Sequence, residues 1–424
     1  MRILLLTHYY APEIGAPQRR WRELVEGLTA AGHQVAVAAP VPHYPHGRSA
    51  ELGLAVVERL RWQDGEHGER VLRLPYLYSS ASMVRQMASQ VVSAAAGALV
   101  AAHMRHDPPD VVVSTTPGLP MIFAGEAAAR ALGVPHVAEI RDAWPDLVAD
   151  SHLVASATKG ALPKALTDRA ERDWVPGLFT AAQKRADAVV VTTEGFATRL
   201  RERGVTNVHC VRATAAVDES AVHWRPTYTP GEGPLRLLYV GTVGRSQGLH
   251  RIVEAVKAVD GVELAIVGGG AAKPGLEAQV AGFPRITFRT QTVGQELDDL
   301  WAWAHSGVVS LDAVPAFEYT LPSKLYPLMA KGVHITGVLA GEASRVVTDT
   351  GAGHVVAPGD DRGLTDMIRS MKEGTLPVTQ SPEALDWVRT HAAPQTAVDT
   401  YLDVLTGVVG SRSVGPGRTS GARA

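Results

Sequence analysis

Apolar residues return along this chain in two rhythms that alternate. Short unbroken runs such as Ile3–Leu6 give way to stretches in which apolar residues recur every three or four positions. In the first such stretch Trp21, Leu24, Val25 and Leu28 follow i, i+3, i+4, i+7, which gathers them on one face of a helix. Pro17 suits the first turn of that helix, because the N–H it lacks has no partner there. Gly32 closes it, where a left-handed residue is favoured. Val35 and Val37 open a second strand. Further strands are predicted at Val111–Ser114, Val134–Ile140, Ala188–Thr192 and Val208–Val211. Short apolar strands separated by helices imply parallel pairing through crossovers, hence an α/β, doubly wound sheet.

The pattern then breaks and restarts. Residues 219–234 are rich in Pro, Gly and Thr with no period, and read as a linker. Leu235–Val240 is a new strand, followed by Gly241, Gly244 and Gly248 and by a helix with Leu249, Ile252, Val253 and Val256 on one face. Strands at Leu264–Val267, Ile286–Phe288, Val308–Leu311 and His334–Val338 follow, then a helix marked by Leu364, Met367, Ile368 and Met371. The predicted organisation is a Rossmann-like domain over 1–218, the linker, and a second Rossmann-like domain over 235–385. A helix over 386–409 is expected to pack back on the first domain, and a Gly/Ser/Arg-rich tail over 410–424 is expected to be mobile.

Composition narrows the class. A chain of 424 residues is too long for one core and suits two. Its 46% hydrophobic and 20% charged residues allow a sizeable core. A net charge of -2 argues against a nucleic-acid partner. The one cysteine, Cys210, sits in an apolar run and reads as a buried thiol, which fits a reducing cytoplasm. The N-terminal apolar run is too short for a signal peptide. The Ala-rich stretch Val91–Met104 falls short of the roughly 18–20 residues that span a bilayer; it reads as a buried helix or as one touching a membrane surface. His43 with His46, and His103 with His106, are i, i+3 pairs that lack a third ligand, so no metal site is expected. Neither a Gly-x-Ser-x-Gly elbow nor a P-loop occurs.

Ligands of doubly wound sheets bind at the carboxyl ends of the strands. Two facing sheets would bring both sets of ends onto one cleft. The turn Gly241-Thr242-Val243-Gly244-Arg245-Ser246-Gln247-Gly248 joins a strand to a helix, where glycine backbone and a helix N-terminus accept an anion; tight helix–sheet packing explains the same glycines. Arg245 adds a permanent charge suited to a diphosphate. Gly268 and Gly269 form a second turn of the same kind, or a plain turn.

The stretch Glu318-Tyr319-Thr320-Leu321-Pro322-Ser323-Lys324-Leu325-Tyr326 up to Gly332 carries most specificity. With HYYAPEIGAPQRRW after the first strand, PHYPHGR, RDAWPD (141–146) and GEASRVV to Asp361 in order, the chain resembles family 4 of the retaining glycosyltransferases, in its amino-sugar and O-antigen-type branch. The resemblance implies a GT-B fold, no metal, and no cofactor beyond a nucleotide-diphosphate sugar as co-substrate, a UDP-sugar first among them. The second half would hold the donor and the first the acceptor. It implies that Lys324 and Arg245, with the backbone near Gly241 and Ser323, stabilise charge on the leaving diphosphate, and that Gly15 and Ala16 let the first loop close over it. Pro322, Gly244 and Gly248 belong to the same donor set. Asp142 would orient a hydroxyl or act as a base, or else cap a helix or pair with Arg141. Arg141 and Trp144 are acceptor candidates, Trp144 by stacking or else as core. Glu318 lies near where the family places a carboxylate.

The family's two spaced glutamates fall here on Tyr319 and Pro327, and Glu342 is a substitute for the second. Its phosphate-contacting Arg and Lys fall on Thr242 and Gln247. These departures touch the donor nucleotide more than the fold. They leave a nucleotide-sugar 2-epimerase-like isomerase and a non-catalytic relative as alternatives. A lipid-linked sugar, a polysaccharide and a small molecule all stand as acceptors. Basic residues between Lys159 and Arg203 read as a solvated helical face or a peripheral contact with the inner face of the membrane.

Overall fold

The computed structural model describes residues 1–43, 61–77, 83–150, 163–217 and 227–413. His46, Lys159, most of PHYPHGR, the first part of the expected linker and the end of the expected tail lie outside them. The chain forms two compact units. One comprises residues 1–192, 196–211 and 397–424; the other comprises 193–195 and 212–396.

The first unit is built on an eight-stranded sheet. Its strands are β1 (Arg2–Leu6), β2 (Gln34–Pro40), β3 (Trp62–Asp64), β4 (Arg70–Leu74), β5 (Val111–Thr115), β6 (His136–Ile140), β7 (Ala188–Val191) and β8 (Val208–Cys210), in the order β3-β4-β2-β1-β5-β6-β7-β8. Every pair is parallel except β3 with β4. Period-two alternation sorts the core. Ile3, Leu5, Val111 and Val113 face one side, where Trp21, Leu24, Val25 and Leu28 of the helix Ala16–Ala30 pack with Val398, Tyr401 and Leu405. Leu4, Leu6 and Val112 face the other side, against Ala94, Met121 and Ala128. β1 sits between β2 and β5, so the sheet's strand order reverses there. That is the switch point at which α/β sheets open a crevice.

The second unit repeats the plan with six parallel strands in the order β11-β10-β9-β12-β13-β14. They are β9 (Leu235–Val240), β10 (Val262–Val267), β11 (Ile286–Arg289), β12 (Ser306–Ser310), β13 (His334–Val338) and β14 (Gly353–Val356). Leu249, Ile252, Val253 and Val256 are buried with Leu364, Met367, Ile368 and Met371 over one face.

Three strands escape the sequence reading. β3 and β4 form an edge whose exposed residues are polar or charged, and β14 is a half-buried edge strand opening on glycine. The single helix read over 386–409 is two, Pro382–His391 and Pro394–Ser413, because Pro394 begins a new helix after Ala392. Cys210 is half-buried rather than buried, since its strand lies at the sheet edge. The helix Met83–His103 is two-faced: Ala94, Val100 and Ala101 are buried, while Val91 and Leu99 are exposed. Among the described residues, no helix is long and apolar enough to cross a membrane.

Candidate functional site

In the second unit the candidate residues gather at the carboxyl end of β9. Tyr239 is wholly buried near the end of that strand, and its Oη donates to the Thr242 carbonyl at 2.6 Å. Lys324 stands just before the short helix Leu325–Ala330. Its Nζ donates to Tyr239 Oη at 2.7 Å and lies 4.1 Å from the centre of the tyrosine ring. A Cβ on Gly241 would come 3.3 Å from the same Nζ, so the ammonium and the bare backbone of Gly241 share one spot. The lysine therefore sits on a ring, with the Tyr239 hydroxyl as its hydrogen-bond partner and no ion-paired carboxylate among the described residues. Burial pulls its pKa from the usual lysine range down to about 7.

The glycine turns have a packing role that spacing alone left open. Gly268 and Gly270 have φ of 140° and 154°, and a Cβ on either would meet the carbonyl oxygen of Gly241 or Val243 at 2.0 or 2.3 Å. Backbone bonds from Gly241 N to Val267 O and Val243 N to Gly269 O continue the β9–β10 pairing into the loops. Gly269 is exposed, with open space where its Cβ would be. Gln247 Oε1 accepts from Gly244 N at 3.0 Å and so tightens the turn Arg245–Gln247. Gly248 supplies the left-handed residue before the helix Leu249–Lys257. Thr242, Arg245, Ser323 and Glu318 are exposed, Pro322 is buried, and Pro327 is half-buried in the third position of its helix. Glu342 is buried. Its carboxylate pairs with Arg212 at 2.7 Å and accepts from Gly195 N at 2.6 Å, so its charge is already matched. The Tyr319 carbonyl accepts from Thr193 Oγ1 at 2.6 Å.

In the first unit Arg141, Asp142 and Trp144 follow β6 directly. The Arg141 backbone is fixed by its neighbours: its N–H donates to Thr116 Oγ1 at 3.3 Å and its carbonyl accepts from Thr192 Oγ1 at 3.1 Å. Burial raises the Asp142 pKa from its ordinary value, with Arg141 opposing. Trp144 N–H reaches back to the Asp142 carbonyl at 2.6 Å, a local turn. Gly15 precedes the helix Ala16–Ala30 with an extended φ of -177°, which any residue adopts.

One cluster at the switch point is absent from the sequence reading as a site. His8, just past β1, has its ring 4.9 Å from those of His43 and Tyr9, and His43 stacks on Tyr76 at 4.0 Å. Burial lowers the His8 pKa to about 3, with His43 adding to the effect. Gly118 after β5 lies against His8; a Cβ there would be 2.4 Å from the histidine Cβ. The signal was available in HYY after an apolar strand, but nothing local said that His43 and Tyr76 would meet it. A cavity of about 660 Å³ opens elsewhere, beside the starts of β1 and β2 among Arg2, His33, Gln34 and His67, and holds none of the candidates.

Residues 15–213 match the family described as glycosyl transferase 4-like domain, and residues 234–373 match glycosyl transferases group 1. The chain belongs to the family 4 glycosyltransferases, with the GT-B fold. It is 26% identical over 348 residues to WcaI of Escherichia coli K12, whose name assigns it provisionally to colanic acid biosynthesis as a glycosyl transferase; the match spans 78% of this chain and 82% of that one. Its fold is similar to sucrose-phosphate synthase of Thermosynechococcus elongatus, with TM-score 0.70 and 16% identity over 97% of this chain and 100% of that one. It is also similar to Anabaena HepE in complex with UDP-glucose, with TM-score 0.65 and 14% identity over 96% and 100%.

The lowered pKa of Lys324 gives a pH dependence with a definite sign. A diphosphate bound at Lys324 would favour the protonated amine and raise its pKa, so binding there would take up a proton. Above pH 7 the free protein loses that proton, and donor affinity is expected to fall about tenfold per pH unit between roughly 7.5 and 8.5. Calorimetric titration with UDP across that range checks it, and a flat profile would remove Lys324 from the phosphate site.

Proposed function

We propose that this glycosyltransferase is a retaining enzyme that moves a hexose or N-acetylhexosamine from a nucleotide-diphosphate sugar, a UDP-sugar first, to an acceptor hydroxyl. The process served is polysaccharide, glycolipid or glycosylated-metabolite synthesis. The reading rests on Lys324, held over Tyr239 beside the bare backbone of Gly241 at a strand end. A half-buried amine held by a hydroxyl and a ring, with no ion-paired carboxylate among the described residues, is suited to a leaving diphosphate, and it acts without a metal. The complex of HepE with UDP-glucose supports a UDP donor for a chain of this fold.

Incubation of the purified protein with UDP-, GDP-, ADP- and dTDP-sugars, followed by mass spectrometry, tests this. Nucleotide release with sugar transfer or slow hydrolysis, unaffected by EDTA, is expected. A changed sugar without nucleotide release would instead identify a 2-epimerase-like isomerase, and binding of no nucleotide would leave a non-catalytic relative.

The enzyme is further proposed to act in the cytoplasm at the inner face of the membrane. Leu166, Trp174 and Leu178 are 44%, 54% and 55% exposed on neighbouring helical turns, beside exposed Lys164, Arg169 and Arg172. Apolar tips among basic residues suit an anionic lipid surface. The protein is expected to sediment with phosphatidylglycerol vesicles, and Trp174→Ser with Leu178→Ser to abolish this; equal sedimentation of the double variant would count against the surface.

A further inference from the structure

Arg141 is a half-buried cation that forms no ion pair among the described residues. Its Nε and Nη1 are shielded from solvent and have no hydrogen-bond partner. Glu139, a carboxylate whose charge acts on Arg141, is already committed. One Glu139 oxygen takes Arg20 Nε at 2.7 Å, and the other takes Thr115 Oγ1 at 2.7 Å. Arg20 Nη2 is in turn bound to the Val211 carbonyl at 2.9 Å, so that pair is closed. Asp142 is the other acid whose field Arg141 feels, and burial pushes its carboxyl toward the neutral form. Two guanidinium groups thus face one fully used carboxylate. Arginine stays protonated in proteins, so the imbalance is not relieved by losing the proton.

A buried charge left uncompensated is costly, and folded proteins keep one mainly where a ligand completes it. The location fits a ligand. Arg141 directly follows β6 at the carboxyl edge of the sheet, and Thr116 and Thr192 clamp its backbone on both sides. The backbone that carries the guanidinium is therefore fixed.

We propose that Arg141 is an oxyanion-binding group of the acceptor site, so that the acceptor carries a phosphate or a carboxylate rather than being a neutral sugar. This rests on the reading that the first unit holds the acceptor. The missing partner is then supplied by the substrate through a charge-assisted hydrogen bond.

Calorimetric titration of the full chain with inorganic diphosphate, farnesyl diphosphate, glucuronate and glucose separates the sources. Arg141→Gln is expected to weaken binding of at least one anionic probe tenfold or more, while Lys324→Ala retains that site and Arg141→Lys restores part of it. Loss toward the diphosphates assigns a phosphate, and loss toward glucuronate assigns a carboxylate. Unchanged binding of every anion by Arg141→Gln, or binding of glucose alone, would overturn the proposal. Arg141→Met guards against a purely structural role. Removing an unpaired buried charge is expected to leave the melting temperature equal or higher, and a fall of more than about 5 °C would show a structural ion pair and overturn the idea. No turnover is read here. Failure of the transferase reading therefore appears only with the nucleotide sugars, and failure of this proposal only in the anion titrations and the Arg141→Met melt.

Discussion

Lys324→Ala is expected to lower turnover at least tenfold, about 1.4 kcal/mol of transition-state stabilisation, and up to about 10³-fold if the amine meets the full charge of the leaving group. The expectation follows from what surrounds the amine. It touches a hydroxyl and an aromatic ring, neither of which carries the opposite charge, and the Gly241 backbone beside it has no side chain to block an incoming phosphate. Burial has already weakened its hold on the proton. In the folded state without ligand the charge is therefore a burden, and alanine should leave the melting temperature within a few degrees of wild type. Tyr239→Phe keeps the ring and removes only the hydroxyl, so it should cost less than Lys324→Ala. Steady-state kinetics with the donor identified by mass spectrometry, run beside thermal melts, check both. Unchanged kcat and KM in Lys324→Ala would remove the lysine from the chemistry.

The legible part of this protein was the part governed by local periodicity. Trp21, Leu24, Val25 and Leu28 are all buried, as are Leu249, Ile252, Val253 and Val256, because a buried helix face must repeat every three to four residues whatever it packs against. β1, β2 and β9 were readable because strands covered on both faces are apolar over most of their length. Edge strands escape that rule. Trp62–Asp64 and Gly353–Val356 need bury only part of their surface, so they carry no clear signal. The candidate site divides in the same manner. Lys324 stood out from its motif, but its partner Tyr239 lies 85 positions away in sequence and is brought there by the sheet. Glu342 looked available as a substitute for the second family glutamate until Arg212 and Gly195 N–H were found on its carboxylate. His8 and His43 meet because β1 and β2 are neighbours with parallel register, a relation that no local window contains.

Gly268→Ala is expected to destabilise the second unit by about 3–5 kcal/mol, whereas Gly269→Ala, one position along, should change stability by less than about 0.5 kcal/mol. Both are single methyl additions to the same turn, so composition and flexibility do not separate them; the backbone geometry does. At Gly268, φ is 140° and the added carbon would lie 2.0 Å from the Gly241 oxygen and 3.0 Å from the Gly241 carbon. No rotation of a side chain relieves that contact, because both atoms are backbone. The Gly241 strand end is held by its own N–H to Val267 O at 2.9 Å, so the clash pulls against the β9–β10 ladder. At Gly269 the added carbon meets nothing within 4 Å. For a unit of this size the larger cost corresponds to a fall of about 6–20 °C in melting temperature. The same displacement has a chemical consequence. Gly241 is the backbone against which Lys324 Nζ sits, so Gly268→Ala should lose donor binding along with stability. Gly269→Ala separates the remaining role: an intact melt with weakened UDP binding would place the exposed turn on the phosphates, and intact binding would leave it a connector. Equal melting temperatures for the two alanine variants would overturn the packing account of Gly268.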